Sequence, residues 1–96
     1  MDEGDLDTEA RRDIETLIER LKPEDRQAIS AMAESDLILL HFGYGMWLRN
    51  QFRQNKFPDL VRFCDARTTP ETRSFDEFSA IAIHEIWRRL RSNNIT

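Results

Sequence analysis

The chain is poor in the residues that build sheets, turns and cross-links. Its 96 residues include one cysteine, one valine, one tyrosine, three glycines and three prolines. The single Cys64 excludes an internal disulfide framework and suits a reducing compartment. Strand-favouring residues are scarce, while Leu, Ile, Ala, Glu and Arg are plentiful, which points to an all-α fold. No apolar run approaches the roughly 18–20 residues needed to cross a bilayer. The opening MDEGDLDTEA lacks the basic and apolar regions of a secretory signal, so a cytoplasmic protein without a membrane partner is expected. Two histidines 43 residues apart and a lone cysteine give little support for a metal centre, which needs three or four convergent ligands.

What the sequence does carry is helical periodicity. Residues 1–7 are acidic and aperiodic, and read as a disordered tail ahead of a single helical domain over residues 8–92. A first helix is predicted from Thr8 to Lys22, capped by Thr8, with Ala10, Ile14, Leu17, Ile18 and Leu21 on one stripe. Pro23 opens a second, short helix to about Ala33, with Ala28, Ile29 and Met32 inward. Ser35 or Asp36 caps a third helix, Leu37 to Gln54, whose apolar residues surround most of its circumference. Such a helix belongs at the centre of a domain. Pro58 opens a fourth helix to about Ala66. Residues 67–73 read as an exposed loop, and Ser74 with Glu77 has the spacing of a capping box for a last helix, Phe75 to Arg91. The expected architecture is a compact bundle of about five helices around a glycine-containing central one.

The central stretch LHFGYGMWLRN (residues 40–50) holds two glycines in a predicted helix interior, a cost of roughly 2 kcal/mol relative to alanine. Gly43 and Gly45 point about 200° apart around a helix axis, so close approach of neighbouring helices on two sides accounts for both. His41, Gly45 and Arg49 fall at i, i+4 and i+8 along one face. A glycine between a histidine and an arginine makes a notch, and the guanidinium fork suits a carboxylate or phosphate. Tyr44 borders that side, and Asn50 lies nearer the Gly43–Trp47 side. His41, Tyr44, Gly45, Arg49 and Asn50 are therefore the candidate binding residues. The alternative is internal: Arg49 paired with Glu85 or Asp76, and His41 bonded to a backbone carbonyl.

LHFGYGMWLRNQF resembles the signature of a family of small, uncharacterised bacterial and phage proteins with a core like LHFGxGxxIRN. LIERLKPEDRQAI before it and FDEFSAIAIHEIWRRL after it fit the same pattern, so the similarity spans about residues 9–91. Where that pattern has an aromatic-Gly-Leu-Trp stretch after the Arg-Asn pair, this chain has Arg53, Gln54 and Asn55, followed later by an added Thr- and Pro-containing loop. The resemblance implies one small helical domain of bacterial or phage origin, and no activity.

No Gly-rich phosphate loop, nucleophile elbow or HExxH motif occurs. Cys64 reads as a core residue and His84 as a structural one, so no catalytic set and no cofactor are expected. Charge is uneven. Residues 1–36 hold 12 acidic and 5 basic side chains, a balance of −7, and residues 37–96 hold 6 acidic and 9 basic, a balance of +3. Arg88, Arg89 and Arg91 suit an anionic partner, although a pI of about 5.1 argues against a dedicated nucleic-acid binder. The expected function is a non-catalytic module acting through a protein partner, of immunity, antitoxin or anti-defence type. The alternative is sequestration of a small anionic metabolite or nucleotide near His41 and Arg49. A homo-oligomer is compatible with either.

Overall fold

Local signals set most of the helix ends. The computed structural model describes residues 7–94, with α1 (Thr8–Arg20), α2 (Pro23–Ser30), a 3₁₀ helix (Glu34–Leu40), α3 (Tyr44–Arg53), α4 (Pro58–Ala66) and α5 (Phe75–Asn94). No strand occurs among the described residues, as an all-α fold requires. Of the expected acidic tail, residues 1–6 lie outside the described residues. Asp7 belongs to the fold: it, and not Thr8, caps α1, its Oδ1 accepting from the Ala10 amide at 2.8 Å.

In α1, Ala10, Ile14 and Leu17 are fully buried, and Ile18 and Leu21 pack beside them. The helix stops at Arg20, earlier than expected. Lys22 is extended, as the residue before a proline prefers to be. Arg26 Nε donates to the freed carbonyls of Ile18 and Leu21 at 3.1 and 3.2 Å, satisfying the end of α1. Helix α2 is likewise shorter than predicted and buries Ile29 and Ser30, leaving Ala28 exposed.

Helix α4 matches its predicted bounds, and Leu60, Phe63 and Cys64 are buried. Phe57 before it is left-handed, with φ 55°, and offers no side-chain cap. The cap comes from a distance: Asp13 Oδ2 on α1 accepts from the Leu60 amide at 3.0 Å. Burial pushes the Cys64 thiol up to about 12, which keeps it an unreactive core residue at neutral pH. At α5 the Ser74 hydroxyl accepts from the Glu77 amide at 3.1 Å, which is the Ser74 half of the predicted capping box.

Two expectations about the centre are overturned. The third helix is not continuous over residues 37–54. It is a 3₁₀ helix, a turn over residues 41–43, and then α3. The middle of the domain is not this glycine-containing segment but α5, which packs against α1, α2, α3, α4 and the 3₁₀ helix. Helix α5 can do so because it is apolar on several sides. Phe78, Ala82, Ile83, Ile86 and Leu90 are buried, and the small Ser79 and Ala82 are fully enclosed. Trp87 reaches across to donate to the Met32 carbonyl at 2.8 Å, and His84 pairs with Glu34 of the 3₁₀ helix.

The glycines consequently take different roles. Gly43 is the N-cap of α3, with φ −101° and ψ −85°, and a Cβ there would meet nothing within 4 Å. It marks the break and is not a packing site. Gly45, in the first turn of α3, is closely approached: a Cβ would lie 3.2 Å from Arg49 Nη1, 3.4 Å from the Leu40 carbonyl and 3.7 Å from Ile83 Cδ1. Gly45→Leu should therefore destabilise the fold by about 1–3 kcal/mol through overpacking. Gly43→Ala should stay within about 0.5 kcal/mol of the parent. Equal midpoints for both variants in urea unfolding would contradict this division.

Candidate functional site

Arg49 is long, permanently charged and has five N–H donors and no acceptor, yet only 8% of it is exposed. Its burial is made possible by acceptors from two segments, the end of the 3₁₀ helix and the start of α5. Nε pairs with Asp76 Oδ1 at 3.1 Å, in the first turn of α5. Nη1 donates to Ser79 Oγ at 3.2 Å and lies 3.5 Å from His41 Nδ1. Nη2 donates to the His41 carbonyl at 3.4 Å, at the end of the 3₁₀ helix. Ser79 in turn donates to the Asp76 carbonyl at 2.9 Å. The arrangement joins the 3₁₀ helix, α3 and α5 through one cation.

The internal alternative with Asp76 is what the structure adopts. Glu85 instead lies 3.5 Å from Arg88. His41 and Arg49 do meet, though not by sharing a helical face. Eight residues of continuous helix would separate them by about 12 Å along the axis, and only the break at residues 41–43 lets the chain fold His41 back over α3. The notch expected at Gly45 is filled by the Arg49 guanidinium itself. A side chain at Gly45 would occupy that position, which is the physical reason for a glycine there.

The other candidate residues lie elsewhere. Asn50 is exposed and accepts from Arg53 Nη1 at 3.0 Å. Tyr44 turns toward α1, with its ring stacked on Trp47 at 5.6 Å. The three C-terminal arginines are each engaged within the fold. Arg88 meets Glu85, Arg89 pairs with Glu15 of α1, and Arg91 donates to the carbonyls of Ser30 and Met32 at 3.3 and 3.4 Å. Among the described residues, no group of three His, Cys, Asp or Glu side chains is placed to hold a metal, and no helix is long and apolar enough to cross a membrane.

The feature that periodicity missed is apolar and lies on the outside. The exposed large hydrophobic side chains among the described residues are Ile38, Leu39, Phe42, Met46 and Trp47, with Phe42 at 78% and Leu39 at 68% exposure. All five fall within ten consecutive residues, on the 3₁₀ helix, the turn and the start of α3. Isolated exposed apolar residues are ordinary, whereas these five share one short segment. A signal was present in the sequence. The run Leu37 to Leu40 followed by Phe42 has too many consecutive apolar residues for one helical face to bury.

Fold and surface together define a small all-helical domain with a polar clip inside and an apolar segment outside. The model of a domain of unknown function, DUF6794, matches residues 11–90, and the chain belongs to that family. No curated protein and no solved structure matches the chain.

The clip makes a quantitative prediction. The Asp76 side chain is 69% exposed, so removing its partner leaves a solvated carboxylate and not a stranded one. Arg49→Met should then cost about 1–3 kcal/mol, chiefly from the His41 carbonyl and Ser79 losing their donor. Asp76→Asn should cost less than about 1 kcal/mol. Denaturant unfolding of both variants tests this, and a larger loss for Asp76→Asn than for Arg49→Met would refute it.

Proposed function

We propose that this chain is a non-catalytic protein-binding module that docks a partner protein on the apolar segment from Ile38 to Trp47. The observation that carries the reading is the confinement of the exposed large apolar side chains to that one segment. Fully burying such side chains contributes roughly 1.5–3 kcal/mol each, so a partner covering only part of the segment gains substantial affinity. Leu39 and Phe42, the most exposed of the five, are the natural anchors of such an interface.

The closed state of Arg49 favours this reading over sequestration of an anion at His41 and Arg49. The guanidinium already has acceptors on every nitrogen, and an incoming anion would have to displace them. The biological setting that suits a small helical module of this kind is immunity, antitoxin or anti-defence action in a bacterial or phage-infected cell.

The test is a photocrosslinking residue at Phe42 in cells that carry the natural partner. One discrete adduct with a single other protein is expected, and Leu39→Ser in the same chain should reduce that adduct about tenfold or more while leaving the melting temperature unchanged. An adduct between two copies of the chain would make the segment a homo-oligomer interface. Diffuse labelling that is insensitive to Leu39→Ser would remove the segment from any interface.

A further inference from the structure

The exposed apolar segment ends in a charge at each side, and the two charges are opposite. Asp36, in the first turn of the 3₁₀ helix, is exposed and makes no ion pair among the described residues. Arg53, in the last turn of α3, is exposed as well. Its guanidinium donates to the neutral Asn50 side chain at 3.0 Å and rests over the Phe75 ring at 5.8 Å, with no carboxylate beside it among the described residues. The order along the segment is therefore acid, apolar, base.

Helical spacing sets these groups beside the apolar ones. Side chains three apart in a 3₁₀ helix eclipse, so Asp36 and Leu39 share a side, and Phe42 follows in the turn. In α3, Met46, Asn50 and Arg53 fall at i, i+4 and i+7 and share a side. All six are exposed. The two ends sit at different levels of α5. The 3₁₀ helix meets it at His84, which pairs with Glu34, and the end of α3 meets it at Phe75, under Arg53. Nine residues of helix, about 13 Å, separate those levels, so the acid and the base do not neutralise each other within one molecule.

We infer that this face pairs with the same face of a second copy of the chain, antiparallel about a two-fold axis. A two-fold contact is isologous: residue i of one copy meets j of the other, and j meets i. A face ordered acid, apolar, base is complementary to itself in that arrangement. Asp36 of each copy meets Arg53 of the other, and Leu39, Phe42 and Met46 are covered between the two pairs. A parallel arrangement would set acid against acid and base against base, which opposes association. The two ion pairs lie at the exposed rim and contribute little, so the dimer is weak and a tighter partner displaces it. The surface is the one assigned above to a partner protein, but the pairing holds whether or not such a partner docks there.

The experiment is analytical ultracentrifugation of the purified full chain, alone, over a concentration series. A monomer–dimer equilibrium with a Kd of about 10–100 µM is expected. Phe42→Ser should raise that Kd about tenfold or more at an unchanged melting temperature, because the ring is exposed. Asp36→Lys and Arg53→Glu should each weaken self-association about tenfold. An equimolar mixture of those two variants should form a heterodimer with about the parent's affinity, since the reversed base meets the reversed acid at one end and the original pair survives at the other. Mixing would not repair a damaged fold, so this rescue separates pairing from stability. A chain that stays monomeric at about 0.5 mM, a dimer indifferent to Phe42→Ser, or a mixture no tighter than its components would overturn the pairing. The crosslinking of a different protein at Phe42 stands or falls separately, because no second protein is present here.

Discussion

A guanidinium cannot lose its charge, and burying one requires an acceptor for nearly every nitrogen. Arg49 meets that requirement with acceptors from residues 41, 76 and 79, and much of the fold follows. The His41 carbonyl comes within reach only if the helix ends before it, so the chain breaks at residues 41–43. The guanidinium needs open space above the first turn of α3, so residue 45 has no side chain. The first turn of α5 must lie beside α3, which places the longest helix against the others. Packing, backbone course and a buried charge are solved together at one point.

The break decides which side of the segment faces water. In one continuous helix, residues 37–52 would have presented apolar side chains all round and required burial on every side. Divided in two, the segment sends Leu37, Leu48 and Phe52 into the core and leaves Ile38, Leu39, Phe42, Met46 and Trp47 outside. The exposed apolar segment thus arises from the same break that satisfies Arg49.

Donor satisfaction also separates the polar groups of the central motif. Arg49 looks in sequence like an anion clamp, yet its nitrogens are committed and its cost of burial is offset internally. Tyr44 is the reverse case, a modest residue in sequence whose hydroxyl is left without a partner.

The helical class, the bounds of α4, the cap at Ser74 and the stripe of α1 were legible in the sequence because each depends on residues within a few positions of one another. Periodicity identified Ala10, Ile14 and Leu17 as core for the same reason. The two glycines signalled that something was costly between residues 43 and 45, without saying whether a helix bears that cost or breaks. The tertiary structure chose the break, because an acceptor for Arg49 lies across it. It also chose Asp76 over Glu85, supplied the cap of α4 from Asp13, and made α5 the centre. These outcomes join residues 8 to 74 positions apart, and the energy of such contacts depends on which side chains are already buried around them, which no local pattern contains.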